Sequence, residues 1–239
     1  MRKVFYFVLS AIFLAAGSAA FGADFWENKP YDTWSQKECN KLLTNSPWVE
    51  DLPLIAEGIS QSTTGDDGQQ LTINYQIQFR SAMPVRQAVV RQMQLAQKYD
   101  TLAPEQKQQF DQSAKSFLSA DFSDVVVVYV TYQCSSQDKS RQIDRHWQSQ
   151  TMDLLKNTVF LRNSKGEQVA LTKYIAPQGA ERSFQFIFPR EINGKPFITH
   201  EDKSLQLEFS YPVIGGVGNG RGFLEFKPKK MIFQGNVAY

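Results

Sequence analysis

The chain has 239 residues, of which 42% are hydrophobic and 21% charged, and its 26 basic and 24 acidic residues give a formal net charge of +2. This length suits one large domain or two small ones around a buried core. The near-balanced charge argues against nucleic acid or an anionic membrane surface as the main partner, since both select a basic footprint.

The first 22 residues have the three-part pattern of a secretory signal peptide. Arg2 and Lys3 form a basic start, an apolar run covers residues 4–16, and small residues lead to a cleavage point after Ala20 or Gly22. The apolar run is too short for a permanent membrane span. We therefore expect an exported protein, periplasmic or secreted, with no transmembrane span after cleavage. Cleavage removes two basic residues and leaves 24 of each sign.

Residues 23–70 predict a helical lead segment followed by a linker. This segment holds three of the four tryptophans: Trp26, Trp34 and Trp48. Exposed indole rings would bind a sugar or a peptide through their flat faces. The alternative is that the segment folds back and plugs the core, which buries the rings.

Within this segment, Ser35 followed three residues later by Glu38 is the pattern of a capping box and predicts a helix that starts there. Residues 52–70 show no periodicity and are interpreted as the linker.

Cys39 and Cys134 are the two cysteines of the chain. Export would bring both into an oxidising compartment, where one disulfide is the simplest outcome. In the chain-entropy picture, closing a loop of nearly a hundred residues stabilises the fold by about 4 kcal/mol. The alternative is two buried free thiols. No histidine stands beside either cysteine, which argues against a catalytic thiol.

The middle of the chain predicts a strand, two helices and a second strand. Residues 71–80 alternate strictly between apolar and polar side chains, as in a half-buried strand. Helices with apolar stripes start at Pro84 and near Pro104, and form an insertion at about 83–119. Residues 125–132, VVVVYVTY, are apolar on both faces and predict a central strand.

Arginines cluster where the first strand leads into the first helix of the insertion: Arg80, Arg86 and Arg91. A cation near a helix N-terminus opposes the helix dipole, so Arg86 requires an acidic side chain or a bound anion nearby. One interpretation is a clamp for an anion or carboxylate. The other is that Arg86 pairs with a carboxylate of the protein and Arg91 is solvated.

The remainder of the chain predicts mostly short strands. Residues 135–156 are polar and ambiguous, with a helix over 147–155 as one interpretation. The last eighty residues have alternating runs separated by turns that contain glycine or proline. We therefore expect an α+β fold, mainly an antiparallel β-sandwich of about seven strands that resembles an immunoglobulin domain, over residues 71–239.

Several strings resemble a group of uncharacterised exported bacterial proteins, some labelled GWxTD domain-containing, although a Gly-Trp-x-Thr-Asp string does not occur here. The strings are scattered over most of the mature sequence: Trp34-Ser35, Leu42-Leu43, Ser46-Pro47-Trp48, Ser81-Ala82, Pro84-Val85-Arg86-Gln87-Ala88, Arg91, Phe188-Pro189-Arg190, Phe226-Lys227, Lys230-Met231 and Gln234-Gly235. The resemblance implies an exported, single-unit protein and no catalytic residue.

The sequence contains none of the common motifs of catalytic or cofactor-binding sites. His146 and His200 lie far apart, and no zinc or calcium spacing exists. The glycine run over 215–222 matches no nucleotide-binding pattern, and no nucleophile elbow occurs. We therefore expect no catalytic residue, no metal site and no cofactor.

These observations together predict a non-catalytic cell-envelope protein that binds another protein or a surface polymer. One alternative is an exported hydrolase acting on polysaccharide or peptide, with two carboxylates brought about 5 to 10 Å apart by the fold. Another is a periplasmic assembly factor that lends a strand edge to client proteins. The oligomeric state stays open.

Overall fold

The computed structural model describes residues 24–56, 64–66, 68 and 70–239. The predicted signal peptide, and residues 57–63 of the predicted linker, therefore lie outside the described residues. The fold is a mixture of helix and antiparallel sheet, with 33% of the described residues in helices and 32% in strands. This confirms the α+β class at the level of mixed helices and antiparallel strands.

Six α-helices occur in the described residues, and local sequence signals mark the starts of the second, third and fourth. The Ser35 hydroxyl accepts a hydrogen bond from the Glu38 N–H while the Glu38 carboxylate accepts from the Ser35 N–H, which is the predicted capping box. Proline occupies the first turn of the third and fourth helices. The helices are α1 (Phe25–Asn28), α2 (Gln36–Thr44), α3 (Met83–Ala96), α4 (Pro104–Ser119), α5 (Gln137–Ser149) and α6 (Met152–Leu155).

The strands form two larger antiparallel sheets and two short hairpins. The five-stranded sheet has the order β1 (Val49–Ile55), β2 (Thr72–Phe79), β3 (Val125–Cys134), β7 (Ser183–Pro189) and β6 (Lys173–Ile175). The four-stranded sheet has the order β11 (Arg221–Phe226), β10 (Leu205–Ser210), β4 (Phe160–Asn163) and β5 (Gln168–Ala170). The hairpins are β8 (Glu191–Ile192) with β9 (Lys195–Pro196), and β12 (Ile232–Phe233) with β13 (Asn236–Val237).

The core consists largely of aromatic side chains that join the two sheets. The apolar face of β2 contacts the four-stranded sheet, with ring centroids 5.9 Å apart for Tyr75 and Phe209 and 4.7 Å apart for Phe79 and Phe226. Phe186 of β7 lies 6.0 Å from Phe209. The predicted strand over 71–80 is thus confirmed, and its alternation sets which face lies in the core.

Helix α2 lies against the opposite, polar face of β2, and α3 packs on α2. The buried Gln78 side chain donates to the Leu43 carbonyl of α2 at 2.6 Å. The predicted central strand is confirmed, because β3 pairs with β2 on one side and with β7 on the other. The two-helix insertion is also confirmed, since α3 and α4 lie between β2 and β3 in the chain.

Three local predictions were wrong. The first residues of the expected linker belong to β1, whose seven residues all pair with β2. Two acidic residues and a proline in this strand interrupt the alternation that would have predicted it. The ambiguous segment holds α5, which starts earlier than the helix considered and buries Ile143 and Trp147, one turn apart, on its inner side. The described residues contain thirteen strands, nine of them in the two larger sheets, rather than about seven.

Candidate functional site

A largely apolar groove of about 650 Å³ lies between α3 and α4. Two valines of α3, Val89 and Val90, line one side, and two phenylalanines of α4, Phe110 and Phe117, line the other. Exposed amide and hydroxyl side chains also line it: Gln97, Gln106, Gln109 and Ser113. The volume falls within the range of small-molecule sites.

The groove exists because α4 packs only loosely on the rest of the protein. No residue of α4 is buried, and its apolar stripe of Phe110, Ala114 and Phe117 is only half-covered. Met93 of α3, which lines the same groove, exposes 51% of its surface. Apolar surface left uncovered between two helices of a folded protein is typical of a binding site.

The connection between the two helices is nevertheless well defined. Lys98 adopts a left-handed conformation with φ of 50° directly after α3, and a 3₁₀ turn over Tyr99–Thr101 follows. The Tyr99 hydroxyl lies 2.8 and 2.9 Å from the two carboxylate oxygens of Asp111. The Tyr99 and Phe110 rings are 5.4 Å apart, so this end of the helix pair is held in place.

Arg80 lies at the groove, directly after β2. Its Nε donates to the Gln78 Oε1 atom at 2.9 Å, and its guanidinium lies 4.0 Å from the centroid of the Tyr129 ring. Burial lowers the pKa of Arg80 from its ordinary value. An arginine with a lowered pKa still carries its charge at neutral pH, because its ordinary value lies so far above 7.

The other two predicted arginines do not join Arg80 in a clamp. Arg86 is buried and its Nη1 donates to three carbonyls at the end of α4, those of Phe117, Leu118 and Ala120, at 3.0 to 3.1 Å. Arg91 donates to the Trp34 carbonyl at 2.9 Å and to Gln94 at 3.1 Å.

Among the described residues no carboxylate pairs with Arg86, so the interpretation of a pair with a protein carboxylate was wrong. The compensating group that the structure shows is the C-terminal end of α4, where unpaired carbonyls and the negative end of the helix dipole face the guanidinium. The interpretation of Arg91 as a solvated residue was also wrong, because its guanidinium is bonded to protein atoms.

The tryptophans of the lead segment belong to the core. Trp34 and Trp48 have no exposed surface, and Trp26 exposes 5%. Trp34 Nε1 donates to the Lys29 carbonyl at 3.0 Å, and Trp48 Nε1 donates to the Ala238 carbonyl at 2.5 Å. The plug interpretation is the one observed, and these three rings offer no stacking surface to a sugar or peptide.

Cys39 and Cys134 are both free thiols in the structure. Cys134 pairs with Ile73 at the start of β2, whereas the helix of Cys39 contacts Gln78 near the end of that strand. Five strand residues span about 17 Å, and a disulfide requires α-carbons within about 7 Å. Both thiols are thus free, although only Cys39 is buried as the alternative required, because Cys134 is partly exposed. Burial raises the pKa of Cys39 to about 11, which suits a structural thiol rather than a reactive one.

Two acidic side chains with shifted pKa values, Asp202 and Glu50, are not among the residues that line the groove. Asp202 is fully buried, and although burial opposes its ionisation, hydrogen bonds from Thr199 and Ser164 and the charge of Lys165 lower its pKa. Glu50 has a raised pKa because of burial and the neighbouring Asp51. The contacts of Asp202 are thus those of a side chain that stabilises a turn, rather than those of a catalytic acid or base.

His146 is half-buried beside Trp147, and burial lowers its pKa. Within the described part of the chain, no group of three or more His, Cys, Asp or Glu residues is arranged to hold a metal ion.

A second concavity of about 740 Å³ borders the lead segment and is more polar. It brings both charge signs together: Lys41, Lys227, Lys229 and Lys230 with Asp24, Glu27 and Glu50. Because these charges largely balance and face water, they create little demand for a ligand of one sign. The apolar groove is therefore the stronger candidate site.

In the sequence, the groove residues are recognisable only as parts of the apolar stripes of two helices. The periodicity of Val85, Val89, Phe110 and Phe117 indicates an apolar face, but it carries no information on what covers that face. The one available signal was the polarity of α4 outside its stripe, which is typical of a helix at the surface.

Comparison of this chain with family models, curated proteins and solved structures gives no match. The resemblance to the exported bacterial group therefore stays a prediction. Among the described residues, no helix has both the length and the apolar character that crossing a bilayer requires.

Proposed function

We propose that this chain is an exported, non-catalytic binding protein of the cell envelope, and that it holds a small apolar ligand in the groove between α3 and α4. The observation that carries the proposal is the half-covered apolar surface of about 650 Å³ between the two helices. The signal-peptide pattern of residues 1–22 supports export to the periplasm or beyond.

A small ligand suits the groove better than the partners expected from the sequence. A surface polymer was expected on exposed tryptophans, and these are buried. A protein partner usually requires about 800 Å² of contact on each side, centred on exposed aromatic anchors. The groove instead is a concave apolar cleft, with polar atoms confined to a few side chains.

We further propose that the two larger sheets form a β-sandwich that serves as the scaffold for the helix pair. Support comes from the aromatic contacts between the sheets, such as Phe79 with Phe226, and from strand connections that pass repeatedly from one sheet to the other. The immunoglobulin-like assignment stays a prediction.

The alternatives gain less support. The predicted hydrolase requires two carboxylates that face one cavity. No acidic side chain is among the described residues that line the groove, and the three acids at the second concavity lie among four lysines. An assembly factor requires an open strand edge, whereas Pro53 interrupts the donors of the edge strand β1. Both stay predictions without an observation that favours them.

Binding of the neutral apolar dye N-phenyl-1-naphthylamine tests the proposal, because its fluorescence rises in an apolar cleft. The wild-type protein should bind it, and Ala114→Trp should weaken binding. An indole that removes roughly 60 Å² of apolar contact costs about 1.5 kcal/mol, or about tenfold in affinity.

The matched control is Leu154→Trp, which adds an indole at an exposed leucine on α6, outside the groove. It should bind the dye like the wild type, and both variants should keep the wild-type circular dichroism spectrum. Absence of dye binding by the wild type, or equal binding by the folded Ala114→Trp variant, would contradict the proposed site.

A further inference from the structure

Arg80 has an unusual position for a charged side chain. Of the described residues that line the groove, it alone carries a charge, and the rest are apolar or neutral polar. A charge beside an apolar cleft is costly unless an opposite charge approaches it, because the cleft offers it little solvation.

No opposite charge among the described residues compensates Arg80. Among the described residues, no carboxylate lies within 4.0 Å of its guanidinium, in contrast to Arg162 and Arg221, which both pair with Glu208. Its hydrogen bond goes to the neutral Gln78 amide and uses Nε, so the two terminal nitrogens form no bond to a described residue. The contact with Tyr129 holds the guanidinium plane in place.

A guanidinium that is held in place and whose terminal nitrogens bond no described residue has the geometry to bind one carboxylate, because two parallel N–H donors can face its two oxygens. A phosphate monoester carries up to two charges at neutral pH and would favour a second cation, which the described lining of the groove lacks. The charge of the site therefore favours a carboxylic acid over a phosphate.

We propose that the groove binds a single-chain carboxylic acid, with the carboxylate on Arg80 and the hydrocarbon chain along Val89, Val90, Phe110 and Phe117. This inference rests on the proposed function, because it names the class of ligand for the same groove. The open position of Met93 suits such a chain, since an unbranched thioether side chain adapts to flexible apolar ligands.

The test compares dodecanoate with dodecan-1-ol, which have the same chain and differ in the head group. Each is used below its solubility limit to displace N-phenyl-1-naphthylamine from the wild-type protein at pH 8. A charge-assisted pair with Arg80 should make dodecanoate bind about tenfold more tightly than the alcohol. Added salt should reduce this preference and leave the alcohol unaffected.

Arg80→Gln should abolish the preference, so that the affinity for dodecanoate falls about tenfold relative to the affinity for the alcohol. Arg80→Lys, which keeps the charge, should retain part of the preference. Arg145→Gln, which removes an exposed arginine on α5, is the matched control and should bind all three molecules like the wild type.

The two proposals fail in different ways. Equal binding of acid and alcohol by the wild type, or a preference that survives in Arg80→Gln, would overturn the carboxylic acid while leaving the groove as a binding site. Dye binding that is absent, or insensitive to Ala114→Trp, would overturn the groove itself.

Discussion

Several charged side chains of this protein form hydrogen bonds with backbone atoms. Arg86 and Arg190 donate to main-chain carbonyls, and Asp202, which also pairs with Lys165, accepts from the Thr199 N–H. Such bonds are strong because one partner is ionised, and they require no matching residue type. A search of the sequence for paired charges therefore misses them.

Glu38 combines both kinds of contact and permits a prediction on pH. Hydrogen bonds from Lys29 and from the N–H and hydroxyl of Ser35 lower its pKa to about 2, against an ordinary 4.5. A carboxyl group with a lowered pKa stabilises the fold fully above about pH 4.5. This contribution is lost as the pH falls through about 2.

We expect Glu38→Gln to lower the free energy of unfolding by about 1 kcal/mol at pH 7, because the pair is partly solvated. The difference in the free energy of unfolding between the variant and the wild type, measured by urea denaturation, should shrink steadily as the pH falls from 4.5 to 2.5. Glu105→Gln removes a first-turn carboxylate from α4 and is the control, expected to show no comparable narrowing. A difference in the free energy of unfolding that stays constant with pH would argue against the assignment of this stabilisation to the Glu38 carboxylate.

At the scale of elements, α4 differs from the other long helices. It buries no residue, whereas α3 buries six and α5 three. Its C-terminal end is held by Arg86, whose guanidinium also lies 4.7 Å from the Phe122 ring. The helix is thus fixed at its C-terminal end by Arg86 and near its middle by Tyr99, which contacts Asp111, and it buries no residue.

Replacing Arg86 with methionine should loosen the end of α4, because three carbonyls lose a charged donor. Losing roughly 1.5 to 3 kcal/mol of local stability corresponds to about ten- to hundredfold faster amide exchange in its last turns. Hydrogen exchange measured by mass spectrometry checks this, with Arg145→Met as control. If protection of α4 is unchanged relative to β3, Arg86 does not anchor the helix.

For the whole molecule, the lead segment contributes to the core and contacts the end of the described chain. The Trp26 and Trp48 rings lie 5.4 Å apart, and Trp48 donates to the Ala238 carbonyl. Glu27 accepts from the Gln234 N–H at 3.2 Å. The segment therefore joins residues that are far apart in sequence, which makes unfolding more cooperative.

Trp48→Ala should lower the free energy of unfolding by about 3 to 5 kcal/mol, since it opens a cavity in the core. For a chain of this size the melting temperature should fall by roughly 6 to 20 °C. The control Phe223→Ala removes a ring that is 61% exposed and should change the melting temperature little. An unchanged melting temperature in differential scanning calorimetry, combined with lost ligand binding, would instead make Trp48 part of a recognition surface.

Local patterns by themselves determined the capped helix after Ser35, the alternating strand β2, the central strand β3 and the two helices of the insertion. Each depends on interactions within a few residues, so spacing and residue type suffice to predict it. The same patterns failed for β1, whose acids and Pro53 resemble a loop. Its structure depends on pairing with β2.

Only the tertiary structure decided what covers each apolar face and what lies beside each charge. It buried the tryptophans, separated Cys39 from Cys134 along β2, placed Arg86 on the end of α4, and left Arg80 beside an open groove. Periodicity states which side of an element is apolar, but the neighbour of that side is set by contacts between distant residues. Those contacts depend on how the whole chain packs, and no local spacing encodes them.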